Sequence, residues 1–513
     1  MNSNFKKFFL ILIISLLSYV FAEVTTIPGV YRYRLDNGLE LFVAENSAAP
    51  LAYIEIAVRA GAVTQTPENA GLFHLYEHLM FKGNAKYANQ NEFTAAANRM
   101  GQIDQNGSTG VDRVNYYFTV PSSQVREGLE FWSYAIRTPL ISEEELENEK
   151  GVVLSEINAD FTSPAHIRTS AIFRALFPNS PWRLDPSGNP VNVQNATPEI
   201  LRQIQSSYYI PQNSAIFVGG DVKADQVYSY VKEIYSDWKN PETEIPFEAP
   251  DTKTPLVHDK KLVAINPGLS DEMIQVGYYL RGPDGQTDAS DTHFADIFLN
   301  IANNPEGVFV KTLLSAKELS IPEADYIFVS YPTARVSGIL SFHAVMLFDE
   351  QKATEVRKGF GSFQMADRDN LNPADKGDAF LKVFKEKALP VISNNEEFFK
   401  PKGIDFVIQQ LEDSRIYELE SANAILSSLS YFWATCGAEY FFSYDSDMAR
   451  VTEADVNSFI KNYIQDKKGV LVVSVSPKVW EKFRYSFQAH GYEEITAENA
   501  FWHKNYKVTD ISK

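Results

Sequence analysis

The stretch that most restricts the fold is Gly71-Leu72-Phe73-His74-Leu75-Tyr76-Glu77-His78-Leu79-Met80-Phe81. At 3.6 residues per turn it reads as a helix that is apolar almost all the way round, the pattern of a helix buried on every side. His74 and His78 are i and i+4 neighbours on one face, bordered by Glu77. A buried helix with three titratable side chains must give them partners. Two neutral imidazoles at this spacing can direct ring nitrogens at one tetrahedral cation, for which zinc is the natural choice. Glu77 is then placed to take a proton from a metal-polarised water and return one to a leaving amine, the chemistry of peptide-bond hydrolysis. Taken alone, the pattern also fits two core histidines bonded to carbonyls, and a third ligand downstream is what separates the two readings.

Ahead of this helix, Lys6 and Lys7 precede the apolar run Phe8 to Ala22, with Val20-x-Ala22 before Glu23. A basic start, a short apolar core and small residues at its end describe a cleavable export signal over 1–22; the run is short for a membrane span, which leaves an uncleaved anchor as the lesser reading. The expectation is an exported chain, periplasmic in a bacterium and otherwise secreted, with no membrane attachment after processing. With 66 acidic against 47 basic residues, the chain is a poor partner for nucleic acid or anionic membranes. Cys436 is the only cysteine, which excludes an intrachain disulfide and a cysteine-rich zinc site, and it reads as a small buried hydrophobe.

The remaining roughly 490 residues are too many for one core. The proline-rich acidic stretch Trp238 to Asp251 lacks apolar periodicity, so the chain divides into 23–240, a linker at 241–254 and 255–513. In the first part, the Asn37-Gly38 turn lies between strand-like runs and Ala52 to Arg59 alternates with period two, giving a mixed α and β unit. Gly101 to Thr109 reads as a small-residue turn entering the strand Val111 to Pro121. Placed at a sheet edge beside the histidine helix, it could hold an extended peptide; a plain hairpin segment fits equally well. Ser142 caps a helix with apolar Leu146, Val153, Leu154 and Ile157, on which Glu149 and Glu156 lie seven residues apart and so on one side. Glu156 is a credible carboxylate ligand and Glu149 a credible supporting group, although acidic helix faces are commonly just solvated.

The blocks Leu35-Asp36-Asn37-Gly38-Leu39, Arg59-Ala60-Gly61-Ala62, Gly71 to Gly83 and Glu149-Lys150-Gly151-Val152-Val153-Leu154-Ser155-Glu156-Ile157, in this order, resemble the pitrilysin or insulinase family of zinc peptidases. The resemblance implies an α+β fold of two homologous halves around a chamber, one zinc ion per chain held by His74, His78 and Glu156, Glu77 as general base and Glu149 as supporting acid. Asn106, Gly107, Ser108 and Thr109 are similar to the family's Asn-Ala-x-Thr edge that aligns substrate, with Gly107 where Ala is usual. The implied activity is endopeptidase action on extended or unfolded peptides.

The family also implies that the second half is a degenerate copy. Asp291 to Ile297 falls where a second motif would lie but lacks the Glu-His ending, so no second zinc site is expected. Relatives place a substrate-contacting tyrosine in this half, matched by Tyr326, and an arginine seven residues before it, where this chain has Leu319. A partner, as homodimer or as heterodimer with a related chain, could supply that arginine. A non-catalytic or partner-dependent subunit of a processing complex is therefore the alternative. Residues 350–404 read as a charged surface insertion, Asp405 to Glu420 and Ala422 to Tyr440 as helices, Thr452 as a helix cap, and Gly469 to Pro477 as a buried strand.

Overall fold

The computed structural model describes residues 23–252, 254–348, 372–393, 395–400 and 402–505. The expected signal segment lies outside them. Alternation of short apolar runs with turn residues builds a seven-stranded sheet in the first half from β1 (Glu23–Val24), β2 (Val30–Arg34), β3 (Glu40–Glu45), β4 (Leu51–Val58), β5 (Ile103–Thr109), β6 (Val114–Pro121) and β7 (Ser214–Gly220). Their spatial order is β1-β2-β3-β7-β4-β6-β5. The β2–β3 hairpin turns through Gly38, whose φ of 88° favours a residue without Cβ. Strand β3 runs parallel to β7, and β4 is antiparallel to both β6 and β7.

One face of this sheet, carrying Leu41, Val43, Ile54, Ile56 and Ile216, packs against α1 (Leu72–Leu79), α2 (Val125–Arg137), α3 (Glu143–Asp160) and a later helix, α5 (Ala224–Tyr235). Between them in sequence, α4 (Pro164–Leu176) leaves its own half. Ala171, Ile172, Ala175 and Leu176 of α4 pack instead on Leu262, Ala264, Tyr279 and Val472 of the second sheet.

The second sheet consists of β8 (Lys260–Ile265), β9 (Met273–Arg281), β10 (Ile327–Ser330), β11 (Ile339–Leu347), β12 (Val470–Val475) and β13 (Glu493–Glu494), in the order β10-β11-β9-β12-β8-β13. Strand β12 is parallel to β8, and β9 is antiparallel to β11 and β12. The order β3-β7-β4-β6-β5 of the first sheet is thus repeated as β8-β12-β9-β11-β10, with β9 in the place of β4 and β10 in the place of β5, while the outer edges differ: β2 is antiparallel to β3 but β13 is parallel to β8. Each half is a mixed α and β unit, and the fold is the expected duplicated α+β arrangement. No described residue from 238 to 259, between the two sheets, lies in a helix or strand.

The helices of the second half include α6 (Ala289–Ala302), α7 (Pro373–Val383), α8 (Gly403–Glu418), α9 (Ala422–Thr435) and α10 (Ala438–Met448). The expected single helix Ala422 to Tyr440 is broken at Cys436-Gly437, where Gly437 takes a φ of 96° and starts a new helix. The expected surface insertion at 350–404 requires a larger correction. Residues 349–371 lie outside the described residues, but α7 and the chain after it bury Phe380, Val383, Phe384, Ile392, Phe398 and Phe399 in the second core. The charges in this segment obscured a helix with one apolar stripe.

The exchange between halves is mutual. Ile425, Leu426, Leu429 and Trp433 of α9, with Phe441 of α10, cover Phe42, Tyr53, Ala57 and Phe217 on the outer face of the first sheet. Both faces of β4 are therefore buried, and its alternate residue Glu55 is fully enclosed. Its carboxylate accepts hydrogen bonds from Asn115 Nδ2 at 2.9 Å, Ser430 Oγ at 2.6 Å and Tyr53 Oη at 2.7 Å, with Arg113 at 3.3 Å, so the buried charge is compensated.

Candidate active site

The N-terminus of α1 is fixed by Gly71, with φ 93°, whose N–H donates to Gln65 Oε1 at 2.7 Å. A Cβ there would lie 2.9 Å from Ser187 O, so the loop at 187–189 can approach the helix only because this residue is glycine. Leu72, Phe73, Leu75, Tyr76 and Leu79 are buried on three sides of α1, leaving His74 and His78 on the one partly open face. Helix α3, capped by Ser142 Oγ accepting from Glu145 N at 3.2 Å, packs beside it and presents Glu149 and Glu156.

Glu156 Oε2 lies 3.3 Å from His74 Nε2 and 3.5 Å from His78 Nε2. The other nitrogen of His78, Nδ1, is 3.1 Å from Glu149 Oε2, and Glu149 Oε1 is 2.8 Å from Lys82 Nζ. An ionised Glu149 accepts a hydrogen bond from Nδ1–H, a tautomer that leaves Nε2 with its lone pair free. Glu77 is buried and turned elsewhere, its Oε2 accepting from Thr109 Oγ1 at 3.4 Å. His74, Glu77 and His78 also bring ligand atoms within 4.8 Å of one another. The oxygen in contact with both Nε2 atoms nevertheless belongs to Glu156, which makes it the better third ligand.

The surroundings adjust each proton affinity. Burial lowers the pKa of His74 to about 4, aided by the neighbouring His78, so it presents a neutral imidazole. For His78 burial opposes protonation, but the bond to Glu149 and the carboxylates of Glu77 and Glu156 outweigh it and raise its pKa in the metal-free chain. Burial raises the carboxyl of Glu77 to about 7. Glu149 is held below the usual carboxylate range: its own burial acts upward, and the hydrogen bonds from His78 and Lys82 prevail.

Asn106 to Thr109, expected as a turn, belong to β5, the edge strand of the first sheet. Among the described residues they pair on one side only, with Tyr117 to Val114 of β6, through a register irregularity between Ile103 and Asn106. Gly107 passes close to α1, where a Cβ would meet Glu77 Oε1 at 2.8 Å and the Phe81 ring at 3.0 Å. His74, His78, Glu77, Glu149, Glu156 and Thr109 are thus brought together. Tyr326 is not among them: it ends a 3-10 turn just before β10 and packs half-buried against the second core. In α6, His293 Nδ1 contacts Ala289 O at 3.1 Å, and Asp296 accepts from Tyr444 Oη at 2.7 Å. Burial pushes the Cys436 thiol up to about 12, which leaves it unreactive. Sequence reasoning gave no role to Lys82, although its position four residues after His78 on the same helical path was a usable signal.

A duplicated α+β chain whose first sheet backs an inverted His-x-x-Glu-His helix, with a carboxylate from a second helix against both imidazoles, defines the class of two-domain metallopeptidase-like folds. The chain belongs to the insulinase family, peptidase family M16: residues 41–185 match the model of that family and residues 195–345 the model described as its inactive domain. It is similar to a zinc protease, PqqE, of Helicobacter pylori, with 26% identity over 248 residues, covering 48% of this chain and 55% of the relative. It is also similar to a probable zinc protease, PqqL, of Haemophilus influenzae, with 25% identity over 249 residues, covering 47% of this chain and 26% of the relative. The matched regions thus span about half or less of these relatives. Among solved structures, a protease from Helicobacter pylori superposes with a TM-score of 0.66 at 19% identity, covering 87% of this chain and 100% of the other. The periplasmic protease PqqL from Escherichia coli superposes with 0.67 at 16% identity, covering 95% and 51%.

Proposed function

We propose that the chain is an exported zinc-dependent endopeptidase acting on extended or unfolded peptides. The observation that carries this reading is the shared oxygen of Glu156, 3.3 and 3.5 Å from the two imidazole Nε2 atoms. A tetrahedral ion with ligand bonds of about 2.0–2.1 Å spaces its ligands about 3.3–3.4 Å apart, so the donor set fits zinc in both chemistry and spacing. Zinc held by His74, His78 and Glu156 would supply a Lewis acid that polarises a carbonyl and acidifies water. Glu77, with its carboxyl near 7, is suited to take a proton from the attacking water at neutral pH and deliver it to the departing amine. The unpaired outer side of β5 offers backbone groups on which an extended peptide can add as a further strand. Asn106 to Thr109 would align that peptide past Glu77, with Gly107 permitting the close approach. Export rests on the 1–22 segment, and periplasmic location in a bacterial host goes with it; no described helix is long and apolar enough to cross a membrane.

The second reading, a partner-dependent subunit, draws on Leu319 standing where an arginine would be and on Tyr326 packing against its own core. Zinc content of the processed protein, wild type beside Glu156→Gln, together with cleavage of a quenched unstructured peptide, tests both. One zinc per chain and cleavage, both lost in the variant, is the expected result. Zinc without cleavage points to the partner-dependent subunit, and a wild type without zinc refutes the peptidase.

A further inference from the structure

A small cavity lies on the outer face of the second sheet, beside the helix that the first half lays across it. Its volume is about 180 Å³, and its lining includes Gln275, Gly277 and Tyr279 of β9, His343 of β11, Ser474 of β12 and Arg168 of α4. That volume is below the roughly 300–1,000 Å³ of pockets that enclose a whole small molecule, so the space suits a single chemical group. Helix α4 separates it from the metal cluster: Thr169, Ser170 and Phe173 border the space beside His74, and Arg168 borders this one.

The lining is rich in donors and has no carboxylate. Tyr279 and Ser474 are only 7% and 2% exposed, yet among the described residues neither side-chain hydroxyl has a hydrogen-bond partner. The half-buried Arg168 likewise pairs with no described carboxylate, although its charge is felt at Tyr279 and His343. His343 adds no charge of its own: burial, with Arg168 contributing, lowers its pKa to about 4, and its ring stacks on Phe328 at 4.3 Å between centroids. Buried donors left without an acceptor are costly, and a bound acceptor would recover that cost.

The first half shows which group completes such a site. In its sheet the third residue pair of β3 and β7 is Phe42–Phe217, and Phe217 stands opposite Glu55 of β4. In the second sheet the third pair of β8 and β12 is Leu262–Val472, and Val472 stands opposite Gly277 of β9. Glu55 and Gly277 are thus the same position of the repeat, each on the face that a helix of the other half covers. Around Glu55 an arginine, two hydroxyls and an amide, from Arg113, Ser430, Tyr53 and Asn115, converge on the carboxylate. Around Gly277 the same kinds of donor recur in Arg168, Ser474, Tyr279 and Gln275, and the residue itself brings no carboxylate. Glycine also lets the Tyr279 ring fold over the strand, with Oη 2.7 Å from where a Cβ would lie.

We propose that this cavity binds a carboxylate brought by another molecule, held by Arg168, Tyr279 Oη and Ser474 Oγ as Glu55 is held in the first half. Its size favours the C-terminus or an acidic side chain of a peptide over a whole small acid. The site is independent of the peptidase reading, because it requires binding and no turnover.

The test is isothermal titration calorimetry on the full chain, with Glu77→Gln throughout so that peptides stay uncut. The probes are an N-acetylated unstructured peptide with a free C-terminus, the same peptide amidated, the amidated peptide with one internal Glu, and succinate. The free acid or the Glu peptide should bind roughly tenfold more tightly than the uncharged amide. Arg168→Gln should abolish that advantage and Tyr279→Phe should reduce it several-fold, as for charge-assisted hydrogen bonds. Succinate binding with the same dependence on both variants would support the site and identify a free acid as its occupant. No advantage for any carboxylate, or one that either variant leaves untouched, overturns the proposal. Cleavage by the wild type, assayed separately, decides the peptidase reading alone.

Discussion

Replacing Glu77 by Gln should stabilise the metal-free protein, increasingly so as pH rises from about 4.5 through 7. The carboxyl is moved from an ordinary 4.5 to about 7 by burial among Tyr116, Tyr209 and the β5 backbone, against which the hydrogen bond from Thr109 acts. Because the folded state binds this proton more tightly than the unfolded chain, folding stability falls as pH rises from about 4.5 through 7 and then levels off. Ionised Glu77 thus costs about 3 kcal/mol above pH 8, about 1 kcal/mol at pH 5 and nothing below pH 4. Gln has the same shape without the charge, so the stability difference between variant and wild type should follow that curve. Urea denaturation in the presence of a chelator, at pH 5, 6, 7 and 8, followed by tryptophan fluorescence, measures it. A difference that does not change with pH, or a variant less stable than wild type at pH 8, would refute the assignment of burial as the cause. Saturating zinc should shrink the difference, since a cation beside Glu77 stabilises its ionised form.

Gly107→Val adds a branched side chain where a Cβ alone would lie 2.8 Å from Glu77 Oε1 and 3.0 Å from the Phe81 ring, and should lower kcat roughly tenfold with zinc content unchanged; zinc assay and peptide cleavage on the same sample decide it. Glu149→Gln removes the charge that holds the His78 tautomer, so zinc affinity, read by chelator competition, should weaken roughly 10–100-fold. Trp433 is fully buried, donates from Nε1 to Glu40 Oε2 at 2.6 Å and lies under Arg59 at 3.9 Å, so Trp433→Ala should cost about 3–5 kcal/mol in denaturant titrations. A loss under about 1 kcal/mol would show that the contact between halves carries little of the fold.

What could be read from the chain was whatever one helix or one strand contains. His74, Glu77 and His78 share a helical turn, Glu149 and Glu156 share a face, and the structure brings these five together as that spacing requires. The edge position of β5 could be suspected but not established, because pairing on one side only is a property of the sheet. Glu55 shows why β4 resisted a full reading: an alternating glutamate suggests solvent, yet its covering helix begins more than 360 residues later in the chain. The segment after Asn372 was misjudged because Lys376, Asp378 and Lys382 hide the stripe of Phe380, Val383 and Phe384. Arg168 and Gly277 meet around one cavity through contacts between halves, and no local pattern announces such a meeting.

The helix that carries Glu156 ends at Asp160 and continues after three residues, Phe161 to Ser163, into the helix that docks on the second sheet. Glu156 is therefore anchored beside Val153 and Ile157 in the core of its own half and also joined by a short tether to a helix seated on the other, whereas His74 and His78 are held by their own core alone. Rotating one half against the other would move a single ligand relative to the other two. The seam between halves would then bear on the position of Glu156, and metal affinity would register how the two halves are set against each other. Apparent zinc affinity should accordingly change when the halves are cross-linked, and an affinity indifferent to cross-linking would show the tether to be slack.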